Sequence, residues 1–124
     1  MADTYRMPRP EGLEGHDAAL GAAIDRLRAF APVDKVILFG SRARGDHRED
    51  SDWDICVLLT DDIPEGVYTP RRMWEQVRDL GLPIQIVAMR TCVFEERHRD
   101  INALAHDVAR DGITLFETEP GPRP

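Results

Sequence analysis

The chain of 124 residues lacks the features that mark a secreted or membrane protein. Its two cysteines, Cys56 and Cys92, are too few for a disulfide framework in so short a chain, so we expect two buried free thiols. The longest apolar run without glycine, residues 55–59, has five residues, whereas a membrane-spanning helix needs about 20. The opening residues M-A-D-T-Y-R contain no apolar region of a signal peptide. These absences predict a cytoplasmic protein without a membrane segment.

Positive charge is also scarce, with 16 Lys and Arg residues against 23 acidic ones and a net charge of −7. Because nucleic-acid phosphates are bound by clustered Lys and Arg, direct DNA binding is not expected. A local group of donors can still hold the phosphates of a small substrate. Hydrophobic residues make up 42% of the chain and charged residues 31%, which predicts one folded domain with its own core.

The organisation along the chain predicts an α/β fold. Prolines and glycines at both ends predict flexible tails over residues 1–13 and 117–124 around a domain at 14–116. Within the domain, periodicity and turn residues predict the following order: a helix over 16–30, a strand over 36–39, a turn or short helix to 45, a strand over 52–59, a helix from 69 to 80, a strand over 84–88, a short helix capped at 91, a last helix ending at 112 and a strand over 113–116. Helices packed on a small sheet of about four strands are the expected architecture.

Two amphipathic patterns assign side chains to the core. In the helix after residue 69, spacing places Met73, Trp74, Val77 and Leu80 on one apolar face. In the last helix, Ile101 is the first of the apolar residues at helical spacing, so we expect it to lie within that helix.

The segment that carries chemistry joins the first two strands. A buried strand opens directly into Gly40 and Ser41, where a residue without Cβ lets a ligand approach the backbone and a hydroxyl can donate to an anion. Alternation along the next strand places Asp52 and Asp54 on one face. Two neighbouring carboxylates repel each other unless a cation lies between them, and oxygen ligands suit Mg²⁺ or Mn²⁺ bound to substrate phosphates. We therefore predict a nucleotide triphosphate on the glycine turn with its metal on the two aspartates.

A Walker A loop has similar glycine spacing, but here Asp46 and His47 occupy the positions of its Lys and Ser or Thr. Residues 40–45, G-S-R-A-R-G, and 51–55, S-D-W-D-I, instead resemble the G-S-x-A-x-G…S-D-x-D-[LI] signature of the nucleotidyltransferase superfamily related to DNA polymerase beta. The short chain resembles the minimal nucleotidyltransferases (MNT proteins), which are often paired with a HEPN-domain protein.

This resemblance implies a mixed sheet and transfer of a nucleoside monophosphate, AMP from ATP in the first place, to an acceptor hydroxyl with release of pyrophosphate. Gly40 and Ser41 would hold the β- and γ-phosphates, and Asp52 and Asp54 would bind the metal. Arg42 and Arg44 are further candidates for phosphate binding because they concentrate positive charge beside this turn. The acceptor is expected on a small helical HEPN-type toxin, which would make the chain an antitoxin. Whether it forms homo-oligomers stays open.

The sequence departs from the family at the third carboxylate. The matching stretch, residues 83–87, reads P-I-Q-I-V, so Gln85 occupies a position where relatives carry an acid that activates the acceptor. An amide carries no charge and cannot act as a base, and loss of a general base costs about 10²–10⁴ in rate. Two hypotheses follow: an active metal-dependent nucleotidyltransferase, or a catalytically impaired module that binds a nucleotide or a partner.

Overall fold

The sheet is the framework on which the helices are arranged in the computed structural model, which describes residues 17–64 and 66–118. The elements in chain order are α1 (Asp17–Phe30), β1 (Val33–Phe39), α2 (Ser41–Arg44), β2 (Trp53–Leu59), α3 (Pro70–Glu75), β3 (Ile84–Arg90), α4 (Thr91–Arg97), α5 (Leu104–Asp111) and β4 (Ile113–Glu117). Their order agrees with the order predicted from the sequence. None of these helices has both the length and the apolar character that crossing a membrane requires.

The four strands lie in the order β3-β2-β1-β4. β1 is antiparallel to β2 and to β4, whereas β2 and β3 run parallel. This mixed sheet with flanking helices confirms the predicted fold class. Phe39, at the end of β1, pairs with Asp54, and Asp54 pairs in turn with Gln85 near the start of β3. The end of β1 and the beginnings of β2 and β3 therefore meet at one place.

One face of the sheet carries the larger core. The buried side chains of α1 recur every three or four residues, and they pack with α3 and with the inward-facing residues of β1 and β2. These α1 side chains are Leu20, Ala23, Ile24 and Leu27. Burying a Leu or Ile side chain stabilises a fold by about 1.5–3 kcal/mol, so this helix is a major source of stability.

The opposite face has a smaller core, formed by Ile37, Phe39, Cys56, Leu58 and Val108. The side chains of β2 alternate between the two faces, as the sequence predicts, because successive residues of a strand point in opposite directions. Burial raises the pKa of the Cys56 thiol to about 12, so this thiol remains protonated at neutral pH.

Four local predictions were wrong. Cys92 is exposed, although its thiol is free as expected. The helix that begins at Pro70 ends at Glu75, because the next turns close through shorter i to i−3 bonds such as Val77 N–H to the Trp74 carbonyl. Thr91 lies inside α4, and its hydroxyl lies 2.7 Å from the Asp34 carboxylate, a cross-element contact that the sequence does not reveal.

The remaining wrong prediction concerns the last helix. Ile101 precedes α5 and is 74% exposed. α5 begins only at Leu104, and its buried side chains are Ala105 and Val108. The predicted N-terminal tail, residues 1–13, lies outside the described residues. Of the predicted C-terminal tail, Glu117 belongs to β4, and residues 119–124 lie outside the described part.

Candidate active site

The turn after β1 has a conformation that only glycine adopts without strain. Gly40 has φ 75° and ψ −158°, a region that L residues with a Cβ avoid. A methyl group at this position would overlap Oδ2 of Asp54 and lie 3.1 Å from its Cγ. The backbone of the turn is therefore in direct contact with the carboxylate side chain, and the two predicted features form one site.

A single helical turn follows directly. α2 begins at Ser41, and the amides of Ala43 and Arg44 both donate to the Gly40 carbonyl at 3.1 and 3.0 Å. Gly45 ends the helix by donating its N–H to the Ser41 carbonyl at 2.9 Å. Ser41, which is half-buried, thus lies between the glycine turn and the helix, beside the residue that contacts Asp54.

The two aspartates differ in environment. Asp52 precedes β2 and is exposed, whereas Asp54 lies within the strand and is half-buried. Burial raises the pKa of Asp54, the negative charge of Asp52 raises this pKa further, and the positive charge of Arg44 acts in the opposite direction. The two carboxylates are therefore close enough to repel each other, which a bound cation would relieve.

The donor set fits a magnesium ion shared with a substrate. Within residues 17–64 and 66–118, no group of three or more His, Cys, Asp or Glu side chains is arranged to hold a metal. Mg²⁺ is nevertheless commonly bound by one or two carboxylates together with substrate phosphates and water. Asp52 and Asp54 supply this minimal set, and the absence of a side chain on Gly40 lets the Asp54 carboxylate lie directly against the backbone of the turn.

Gln85, which the family resemblance matches to a third carboxylate, lies beside Asp54 in the sheet. It is the register partner of Asp54 on the parallel strand β3, and both side chains line the same groove. Neighbouring strands are about 4.8 Å apart, so the amide is placed beside the Asp54 carboxylate. Because an amide carries no charge, Gln85 neither adds to the repulsion between the aspartates nor accepts a proton at neutral pH.

The two candidate arginines have different surroundings. Arg42 is only 6% exposed, and its guanidinium lies 4.4 Å from the centre of the Trp53 ring, on the face opposite Asp54. It also donates to the carbonyls of Glu49 and Ser51 at 3.1 Å. The structure therefore does not bring Arg42 to the carboxylates. Instead, Arg42 fixes the loop that leads to Asp52.

Arg44 remains at the site. It is exposed and donates to Asp46 at 3.1 Å and to Asp111 at 3.3 Å. Its charge acts on Asp54, where it lowers the pKa of the carboxyl group. Arg44 is thus the cation among the predicted phosphate-binding residues that the fold places near the aspartate pair.

A groove of about 630 Å³ adjoins the site. Asp54 and Gln85 lie at one side of it, and its other lining residues, which are apolar except for one arginine, are Phe39, Pro70, Arg71, Trp74, Ile84, Ile86, Val87 and Leu104. Trp74, which the sequence assigns to the core, is 40% exposed here, because Met73 of α3 and Val77 in the turn that follows already fill the interior.

Two groups of residues at the site escape sequence analysis. Asp111 lies 67 positions from Arg44, and no motif links the two. Trp74 and Leu104 reach one groove from different helices, and their apolar character is equally compatible with core positions.

Comparison with known proteins decides the family. The sequence pattern described as polymerase beta, nucleotidyltransferase matches residues 23–120, which include the whole site. The chain belongs to this nucleotidyltransferase family. A curated relative, the protein adenylyltransferase MntA of Aphanizomenon flos-aquae, is 37% identical over 89 residues, which cover 69% of this chain. The match spans 57% of that relative's length.

Two solved structures share the fold of this chain. A chain in the crystal structure of a toxin–antitoxin with AMP-PNP superposes with a TM-score of 0.56 at 22% identity, covering 80% of this chain and 73% of that one. A chain in a mutant MntA–HpeT toxin–antitoxin gives a TM-score of 0.55 at 22% identity, covering 81% and 73%. At this level of identity the likeness concerns the fold.

Proposed function

We propose that this chain transfers a nucleoside monophosphate, AMP from ATP, to a hydroxyl group on a partner protein. The observation that carries the proposal is the contact between the Gly40 turn and Asp54, with Asp52 close enough to raise the pKa of Asp54. A backbone turn open to phosphate beside paired carboxylates is the arrangement that a metal–triphosphate complex requires. The relative named as a protein adenylyltransferase supports the choice of nucleotide and acceptor class.

In the proposed reaction, the acceptor oxygen attacks the α-phosphorus of ATP and a new P–O bond forms. The bond from the α-phosphorus to the bridging oxygen breaks, and pyrophosphate leaves with its electron pair. The hydroxyl proton passes to water, since Gln85 cannot accept it. Catalysis then rests mainly on positioning and charge stabilisation by Ser41, Arg44 and the turn at Gly40. Mg²⁺ or Mn²⁺ held by Asp52 and Asp54 would neutralise the charge of the triphosphate.

The acceptor is proposed to enter along the groove beside Asp54 and Gln85. Its apolar wall includes Trp74 and Leu104, which are 40% and 43% exposed, and such a surface fits a segment of another protein better than a free sugar or amine. The structural neighbour is a toxin–antitoxin, which supports a toxin as the partner. We therefore propose a small helical HEPN-type toxin as acceptor and an antitoxin role for this chain, in the cytoplasm.

Gln85 favours a second candidate function. Without a third carboxylate, the chain could bind Mg²⁺–ATP or its partner and transfer nothing at a useful rate. In that case the chain would neutralise its partner by covering it.

The test is transfer of radiolabel from ATP labelled at the α-phosphate to a purified HEPN-type toxin, the proposed partner. Wild type, Asp52→Asn/Asp54→Asn and Gln85→Asp are compared with Mg²⁺ present. For the enzyme we expect label on the partner with wild type and none with the double variant. ATP labelled at the γ-phosphate is the matched control, since AMP transfer leaves that label in pyrophosphate.

The outcomes separate the two candidates. No transfer by wild type, together with transfer by Gln85→Asp, identifies a binding module with an impaired site. If no version transfers label and wild type does not bind Mg²⁺–AMP-PNP, the enzyme and the nucleotide-binding module are both wrong.

A further inference from the structure

Arg44 links three elements around the proposed phosphate site. It is the last residue of α2, and its Nε atom lies 3.1 Å from Asp46 in the following loop. Its Nη1 atom lies 3.3 Å from Asp111 at the end of α5. The guanidinium thus has one carboxylate partner near in sequence and another that only the fold brings to it.

The two carboxylates are held with different firmness. Asp111 has a side chain that is 11% exposed, and it also accepts two bonds from Arg110 at 3.1 and 3.0 Å. Its helix is fixed against β1, because a Cβ on Gly112 would overlap the Val108 carbonyl and lie 2.6 Å from Ile37 Cγ2. Asp111 is therefore a fixed anchor.

Asp46, by contrast, is 62% exposed and lies in the loop after α2. Within the described ranges, its recorded partner is Arg44. An exposed ion pair of this kind contributes little and is readily exchanged for another anion. The phosphates of a nucleotide are such an anion, and the planar guanidinium binds them through two parallel bonds.

We propose that Asp111 and Asp46 act on nucleotide binding through Arg44 in opposite directions. Asp111 is a positioning residue that keeps the guanidinium directed to the site, whereas Asp46 occupies the guanidinium edge that a phosphate takes when it binds. The inference rests on the proposed function, and it adds a regulation of affinity that the signature residues alone do not contain.

The expected sign of the Asp111 effect distinguishes the proposal from simple electrostatics. Asp111 is negatively charged, so removal of its charge would by simple electrostatics strengthen the binding of an anion. We expect the reverse, because without Asp111 the guanidinium loses its direction and must be ordered again when phosphate binds.

The experiment measures the affinity of the full chain for Mg²⁺–AMP-PNP by calorimetry at physiological ionic strength. We expect Asp46→Asn to strengthen binding about threefold and Asp111→Asn to weaken it about fivefold, as for single charged contacts. In an Arg44→Gln background both effects should shrink to less than about 1.5-fold, because the pairs no longer exist. Asp107→Asn is the matched control for α5, because it removes an exposed carboxylate of the same helix whose recorded ion pairs are with His106 and Arg110 and not with Arg44; we expect a change below about twofold.

A turnover assay with the acceptor supplies the readout that a structural role would not move. Asp46→Asn and Asp111→Asn should shift the KM for ATP in opposite directions, because one frees the guanidinium of Arg44 and the other leaves it undirected. Equal signs for the two variants, or effects that persist in Arg44→Gln, would overturn the inference. If Asp111→Asn does not fold, the Asp46–Arg44 cycle decides alone. Failure of wild type to bind Mg²⁺–AMP-PNP overturns the proposed function, and the inference with it.

Discussion

The two faces of β2 carry opposite kinds of side chain. On one face Trp53, Ile55 and Val57 are buried beneath α1 and α3. On the other face the strand opens with Asp54, which is half-buried beside the groove, before Cys56 continues into the smaller core. Because side chains alternate between the faces with a period of two, the same strand fills the core with its apolar residues and places Asp54 at the candidate site.

One face of β2 stabilises the fold, whereas the other carries a charge that burial disfavours. Burial of the apolar face favours folding, whereas burial raises the pKa of Asp54 and so disfavours its charged form. The charge of Asp52 adds to this cost. Substitutions on the apolar face should therefore lower stability and spare nucleotide binding, whereas substitution of Asp54 should lower activity and spare stability.

The largest expected effect is on activity. Asp54→Asn should reduce the proposed AMP transfer at least about 10³-fold, about 4 kcal/mol of barrier, because it removes a proposed metal ligand. The melting temperature should stay the same or rise, since a disfavoured charge is lost. Transfer rates and thermal unfolding measured on one preparation test both parts. A variant that keeps its activity would contradict the metal role, and one that unfolds would contradict the division between the faces.

The opposite face should give the opposite result. Leu27→Ala should lower the free energy of unfolding by about 3 kcal/mol, because it leaves a cavity in the larger core. Urea unfolding measures this loss. At a temperature where the variant is folded, its affinity for Mg²⁺–AMP-PNP should equal that of wild type. A change in affinity greater than about twofold would show that the two faces are coupled.

Sequence analysis could find the framework because each step depended on neighbouring residues. The buried strand before Gly40 and the alternation through Asp54 are local patterns, and so is the cap at Thr69, whose Oγ1 accepts from the Arg72 amide at 3.3 Å. These patterns predict the order of the elements and the row of carboxylates. The position of Gln85 beside these carboxylates is predicted only by the family resemblance.

What the sequence could not predict depends on contacts between distant segments. Arg42 and Arg44 are two arginines of the same short segment, and nothing in the sequence distinguishes them. In the fold, however, Arg42 packs on Trp53 and Arg44 pairs with Asp111. The exposure of Trp74 depends on which apolar residues of α3 and of the turn after it fill the interior, and these are Met73 and Val77. No periodicity in the chain contains this information.

The boundary between the two faces can be tested at Gly40. Gly40→Ala should lower the affinity for Mg²⁺–AMP-PNP about 30-fold, about 2 kcal/mol, because the new methyl group displaces Asp54. Gly81→Ala is the matched control: it has a similar φ, 84°, but nothing within 4 Å of the added atom. Each should lose about 1 kcal/mol of stability through backbone strain. Equal affinities in the two variants would show that the contact with Asp54 does not shape the site.

The smallest expected effect is a difference in pH dependence between Asp54 and Asp111. The pKa of Asp54 is raised above 3.8 in the folded chain, so the folded state binds this proton more tightly than the unfolded state does. Relative to Asp54→Asn, wild type should therefore gain stability as the pH falls from neutral through the folded pKa towards 3.8.

The pKa of Asp111 is lowered, chiefly by its hydrogen bonds from Arg110. The charged Asp111 side chain stabilises the folded state at pH values above 3.8, the pKa of the unfolded chain. Compared with Asp111→Asn, wild type should therefore lose stability as the pH falls below 3.8 towards the lower pKa of the folded chain. Urea unfolding of the three proteins over this range, without divalent ions, measures both slopes. Slopes of the same sign would mean that the Asp54 charge is not disfavoured by the fold, and the proposed need for a cation at the aspartate pair would lose its physical basis.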